Sequence, residues 1–359
     1  MTVNGEPYVK VLGKTATFVE REDGKDQSAL ILRDIALKPG SYRVQAGPAI
    51  VTWNVYATGP RKAKNVILFI GDGMSPAHRI GARLLSKGIQ EGKSLGKLAL
   101  DDMPHMALVA TAGSDSIITD SANSASAYAT GHKSGVNAMG VYPDRTANPF
   151  DDPRVETIGE LAKRRGGLAV GIVTNTEIED ATPAAMATHT RRRATYDQIV
   201  EQYFNVKPDV LLGGGLANFL PKDAAGSKRK DSTDYVAKFK DAGYRYVTTA
   251  ADLAAAGNSD KLLGLFNLGN MDGVLDRKFL KGGSVKKFPE QPDLTSQVNV
   301  ALEVLSKKPN GFFLMVESGL IDKYAHVLDM ERAVYDVIML DNAVRATKEW
   351  AKARGDDTL

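Results

Sequence analysis

The chain has 359 residues, 43% hydrophobic and 25% charged, with a net charge of +3 at neutral pH; it can bury a large core and hold more than one domain. So mild a basic balance gives no footprint for nucleic acid, although phosphate-bearing substrates suit it. The absence of cysteine excludes disulfides without fixing a compartment, no apolar run reaches membrane-spanning length, and the opening MTVNGEPYVKVLGK lacks the basic and apolar regions of a signal peptide.

Residues 1–60 alternate in short stretches, TATFVE, ALILRD, YRVQAG and IVTWNVYA, broken by DGKD and KPG. That pattern predicts a small β module acting as a structural appendage. After TGPRKAK the pattern changes, and residues 61–359 read as an α/β domain whose strands, near 65–70, 168–173, 209–212 and 312–316, alternate with helices. A mostly parallel central sheet flanked by helices on both faces is the expected fold class.

In KNVILFIGDGMS, Val66 to Ile70 form the apolar run of a strand buried on both faces, and Gly71-Asp72-Gly73 ends it. Asp72 therefore stands at a strand's carboxyl edge, where open α/β sheets place their sites; by itself it would be an ordinary Asp-Gly turn. In IITDSANSASAYATG, Ser121 follows Asp120 and opens a run of small residues ending at Gly131. Ser121 is thus expected at a helix N-terminus, where orphan N–H groups and the helix dipole favour an anion. Either residue could simply be an N-cap. No His-based triad is legible around the serine, so metal coordination is the expected source of activation.

Farther on, the strand from Leu168 to Val173 leads into a loop with Asp180 and Thr182 and a helix entered at Pro183. Carboxylate and hydroxyl oxygens suit magnesium. Of the clustered Arg191, Arg192 and Arg193, one is expected to clamp phosphate through its planar guanidinium. Residues 213–292 are rich in glycine, lysine and aspartate with weak periodicity and read as insertions over the site. Finally GFFLMVESGLIDKYAH delivers Glu317 at a strand end and then Asp322 and His326 four apart, on one helix face, able to converge on a cation. His78, His105, His132 and His189 have no carboxylate partner at ligand spacing and read as structural or surface residues; Trp53 and Trp350 read as packing residues.

The ordered segments IGDGM, TDSANSASAYATG, EDATPAA with a following H-x-x-x-R, and VESGLIDKYAH resemble bacterial alkaline phosphatases over roughly residues 64–359. The resemblance implies hydrolysis of phosphate monoesters through a phosphoserine, with two zinc ions and one magnesium ion, inorganic phosphate as product, and export to the periplasm or outside the cell, with room for a homodimer. Carried over residue by residue, Ser121 matches the nucleophile, and Asp72 the aspartate bridging the second zinc and the magnesium. Asp180, Thr182 and Glu317 match the magnesium site, and Asp322 and His326 two ligands of the first zinc. Arg193 matches the phosphate clamp, Asp120 the residue orienting it, and Lys323 a position that holds phosphate through a water. In the family, an Asp-His pair and a later His complete the zinc sites beyond the position of Leu359, so the chain alone is expected to be an incomplete domain of low activity. The alternatives are a phosphodiesterase or related hydrolase of the same superfamily, or a catalytically silent metal- or phosphate-binding fragment.

Overall fold

The computed structural model describes residues 1–19, 29–32, 35–57, 59–144, 146–355 and 357–359. The DGKD turn and the end of the ALILRD stretch fall outside these residues. The chain forms two compact units, one of residues 1–62 with 144–153 and the other of residues 63–143 with 154–359.

In the first unit, β1 (Thr2–Val3), β2 (Glu6–Pro7), β5 (Gly40–Ala46) and β6 (Ala49–Val55) make an antiparallel sheet ordered β2-β1-β5-β6, while β3 (Thr17–Val19) pairs with β4 (Ala29–Ile31). Its core is small: Val3, Val44 and Leu12, the last from helix α1 (Tyr8–Leu12), packed by Met1, Tyr8 and Tyr42. Trp53 does not pack as expected. It sits on β6 at 37% exposure beside the exposed Ile50 and Val51, because β6 is an edge strand of that sheet.

The second unit is built on six parallel strands: β7 (Val66–Gly71), β10 (Ala169–Glu177), β11 (Val210–Gly214), β12 (Arg245–Val247), β13 (Leu262–Leu265) and β14 (Phe312–Ser318), ordered β12-β13-β11-β10-β14-β7. Two short strands, β8 (Ile89–Gln90) and β9 (Lys93–Ser94), form a separate hairpin. Alternate residues of a strand face opposite sides, so Phe312, Leu314 and Val316 join one core and Phe313 and Met315 the other. The first core is closed by α9 (Leu294–Leu305) and α11 (Met330–Arg354), with Ala82 of α2 (Pro76–Lys87). The second is closed by α3 (Ser121–Thr130), α4 (Ile158–Gly166), α5 (Ala181–Ala185), α6 (Tyr196–Val206) and α7 (Tyr235–Asp241). Both faces are thus covered, which is what continuous apolar strands require. Trp350 packs as expected, its ring 5.9 Å from that of Phe312.

Three expectations change. The segment 213–292 contributes two sheet strands, β12 and β13, with α8 (Ala250–Ala254) between them; the sequence reading placed no strand there. β10 continues to Glu177, four residues past Val173. α5 begins at Ala181 rather than Pro183, with Asp180 as its N-cap accepting from the Ala181 amide at 2.8 Å.

Candidate active site

The carboxyl ends of β7, β10 and β14 lie side by side, because Glu317 registers with Thr174 on one flank and with Ile70 on the other. This adjacency brings together side chains far apart in sequence. Asp72 follows β7 directly, in a turn that needs glycine: Gly73 has φ +62°, and a Cβ there would lie 2.7 Å from Asp322 Oδ1. The missing side chain lets the Asp72 turn press against α10 (Leu320–His326), which carries Asp322, Lys323 and His326.

Ser121 is the first residue of α3, and Asp120 is its N-cap. Asp120 and Asn123 form a reciprocal capping box: the Asn123 amide donates to Asp120 Oδ1 at 2.8 Å and the Asp120 amide to Asn123 Oδ1 at 3.1 Å. With the cap supplied by its neighbour, Ser121 is free to turn its hydroxyl outward, and Oγ donates to Asp72 Oδ2 at 3.0 Å.

Asp180 is the meeting point of the cations. Arg193 Nη2 donates to its Oδ1 at 2.6 Å, and Lys323 Nζ lies 2.7 Å from its Oδ2. Lys323 is also 3.9 Å from Asp322, and His326 Nε2, on a 75% exposed side chain, is 3.4 Å from Asp322 Oδ2. Arg193 of the three clustered arginines thus pairs with Asp180, while Arg192 is exposed. Asp120 reaches Arg193 indirectly: its Oδ2 accepts from the Asn137 amide, whose carbonyl accepts from the Arg193 amide at 2.9 Å. Glu317 is buried, its Oε2 accepting from Thr174 Oγ1 at 2.6 Å and from Thr176 Oγ1 at 3.3 Å. Thr182 is buried in α5.

The electrostatics follow from crowding. Burial, then repulsion by Asp322, pushes the Asp72 carboxyl up to about 6, against the Ser121 hydrogen bond. Burial and then Asp72 push Glu317 up to about 8. For Asp180 the burial penalty is outweighed by Lys323 and Arg193, which hold it below the usual range. Asp72 and Glu317 are therefore the carboxyls whose ionisation Arg193 and Lys323 leave uncompensated.

Among the described residues no three carboxylate, imidazole or thiol groups are close enough to one another to hold an ion as they stand. The donor chemistry nonetheless suits a hard divalent cation: Asp72, Asp180, Thr182 and Glu317 offer only oxygen, and crowded buried carboxylates gain most from added positive charge. Asp322 and His326 offer an oxygen and a nitrogen, two of the three or four donors zinc takes.

Four contributors were not read from the sequence. His189 has a carboxylate partner after all, Glu160, 2.9 Å from Nε2, while Nδ1 lies 2.8 Å from the Gly140 carbonyl; the partner is supplied by α4 rather than by local spacing, and the pair anchors the segment leading to Arg193. Thr174, Asn175 and Thr176, which the sequence leaves in the loop after Val173, lie within β10. Their polarity was the available signal, since three polar residues closing a buried run need partners. His78 caps α2 through Ser75 and His132 meets Tyr142, both structural.

The alkaline phosphatase family model matches residues 63–359. The chain is 35% identical over 332 residues to alkaline phosphatase of Escherichia fergusonii, covering 82% of this chain and 68% of that protein. Its fold resembles the crystal structure of Thermus thermophilus alkaline phosphatase, with TM-score 0.71 and 29% identity over 83% of this chain; it spans 58% of the Thermus chain. It is also similar, with TM-score 0.67 and 27% identity over 83% of this chain and 76% of the other, to a mutant of the TAB5 alkaline phosphatase described with Mg bound in its M3 site.

Proposed function

The chain belongs to the alkaline phosphatase family, and from that premise we propose that it hydrolyses phosphate monoesters through a phosphoserine formed on Ser121. The observation that carries this reading is Ser121 Oγ at the first turn of α3, 3.0 Å from Asp72 Oδ2. Asp72 orients the hydroxyl, so that an oxygen lone pair faces the substrate phosphorus. The Ser121 Oγ–P bond forms as the bond to the leaving oxygen breaks; the Oγ proton passes along its hydrogen bond to Asp72 Oδ2, and the departing oxygen takes a proton from water to leave as the alcohol. Water then attacks the phosphoserine, releasing inorganic phosphate and restoring the Ser121 hydroxyl.

The remaining residues hold the anion. The free N–H groups of the first turn of α3 favour a phosphoryl group there. Arg193 and Lys323, paired through Asp180, supply positive charge on the same side, and the guanidinium fork can take two phosphoryl oxygens at once. Metal dependence is part of the proposal: one magnesium ion at Asp72, Asp180, Thr182 and Glu317, and two zinc ions, one at Asp322 and His326 and one at Asp72 and Ser121. Such cations supply Lewis-acid stabilisation of the attacking and leaving oxygens when bound. Residues 1–60 are proposed as an appendage outside this chemistry. Export to the periplasm or cell exterior is inferred from the resemblance.

The test is to purify the chain, assay a chromogenic phosphate monoester at alkaline pH with zinc and magnesium, and trap enzyme-bound phosphate by acid quench. Ser121→Ala should reduce both turnover and trapped phosphate to background. Phosphate trapped on another residue, or equal turnover in the variant, would refute the assignment.

A further inference from the structure

α10 carries Asp322, Lys323 and His326, yet it starts without a cap of its own. Its N-cap is Gly319, which has no side chain to accept from the first turn. Glycine is required by space: a Cβ on Gly319 would meet Thr176 Cγ2 at 2.6 Å and Glu317 Cδ at 3.0 Å. A helix N-terminus buried without partners is costly. The partner comes from another strand.

Asn175, in β10, directs Oδ1 at this turn, accepting from the Gly319 amide at 2.9 Å and from the Leu320 amide at 3.2 Å. Those backbone groups can only donate, so they fix which end of the amide faces them. Nδ2 then points the other way, donating to Ser318 Oγ and to Asp336 Oδ1, each at 3.3 Å. Asp336 belongs to α11, and Asn175, Ser318 and Asp336 are all buried. The four hydrogen-bonding capacities of one amide are thereby all used, joining β10, β14, α10 and α11.

We propose that Asn175 is a positioning residue for the reaction, capping α10 from the neighbouring strand and so fixing Asp322 and Lys323 against Asp180 and the Asp72 turn. The proposal rests on the phosphomonoesterase reading above. Its logic is that of outer-shell partners generally: α10 is only seven residues long, too short to hold its own conformation, and Lys323 must stay within 2.7 Å of Asp180. Freed from Asn175, the first turn could fray and let both side chains drift.

The experiment compares the unmodified chain, Asn175→Leu, and the double swap Asn175→Asp with Asp336→Asn. Leucine keeps the approximate volume and removes all four bonds. The swap restores them with donor and acceptor exchanged between positions 175 and 336, at constant net charge. Amide hydrogen exchange and monoester kinetics with zinc and magnesium are read on all three.

Asn175→Leu should lower kcat/KM by roughly 10- to 100-fold, the usual cost of losing an outer-shell partner. It should also speed exchange at Gly319 and Leu320 while Val210–Leu212 of β11 stay protected, and the swap should recover part of both losses. Unchanged kinetics and exchange in Asn175→Leu would overturn the proposal. So would loss of protection in β11 together with α10, unrecovered by the swap, since that marks a general core residue. If Ser121→Ala retains turnover, the functional reading fails instead, and faster exchange confined to α10 would still identify Asn175 as its cap.

Discussion

Gly73 and Arg193 show how single residues bear on the site in opposite ways, one by lacking a side chain and the other by where its side chain ends. Alanine at position 73 would occupy a left-handed conformation, costing about 1–2 kcal/mol for a residue with a Cβ, and would collide with Asp322. Gly73→Ala should therefore lower the unfolding midpoint and, by displacing Asp322, lower kcat/KM; an active variant with unchanged stability would contradict the close approach described. Arg193→Ala removes the guanidinium paired with Asp180. Monoester turnover and inhibition by phosphate should weaken more than diester turnover, because the fork reads the additional phosphoryl oxygens. Equal losses on both substrates, or a larger effect from Arg191→Ala, would remove the clamp from Arg193. At this scale the sequence was legible where chemistry sits at the end of an element: Asp72 and Glu317 at strand ends and Ser121 at a helix start occupy the positions the motifs suggested. Thr174, Asn175 and Glu160 were not legible, since each acts on a partner chosen by strand register or helix packing rather than by neighbouring sequence.

Among the elements, strands announced themselves in proportion to their apolar length. β7, β10, β11 and β14 are long apolar runs and were located to within a few residues. β12 is Arg-Tyr-Val and β13 is broken by Gly264; neither carries enough local signal, and β13 is a strand through burial between β11 and β12, β12 through its pairing with β13 at the sheet edge. α5 began earlier than Pro183 because the Asp180 cap, not proline, sets its start. The tie between α4 and the His189 segment offers a test. Burial would raise the Glu160 carboxyl, but the His189 hydrogen bond and charge and the Thr157 contacts outweigh it and hold it below its ordinary 4.5. A carboxylate lowered in the folded state stabilises above its ordinary value, and that stability fades as the pH falls through the folded value. Glu160→Gln should accordingly lose stability in denaturant titrations near neutrality, and the gap to the unmodified chain should narrow as the pH drops through the carboxylate range. A gap independent of pH would assign the loss to packing alone.

Across the larger unit, the site rests on three strand ends being neighbours, and those strands come from distant parts of the chain. Disrupting the joint they form should affect chemistry and stability together. Leu314→Ala, in the middle of β14 and fully buried, should cost about 2–5 kcal/mol, measured by denaturant unfolding. A loss below about 1 kcal/mol would mean that the neighbouring side chains close the cavity. Among the described residues no helix is long and apolar enough to cross a membrane.

The pairing of β7 with β14 also sets a clock. Asp72 leaves the ribosome long before Glu317, and at about 5–20 residues per second the intervening chain takes on the order of ten seconds or more to follow. Throughout that interval one flank of β7 waits for its partner strand, exposing unpaired backbone that could template aggregation. High contact order of this kind slows folding generally. In this molecule it means that the site is assembled only after β14 has been made, rather than as an early local structure.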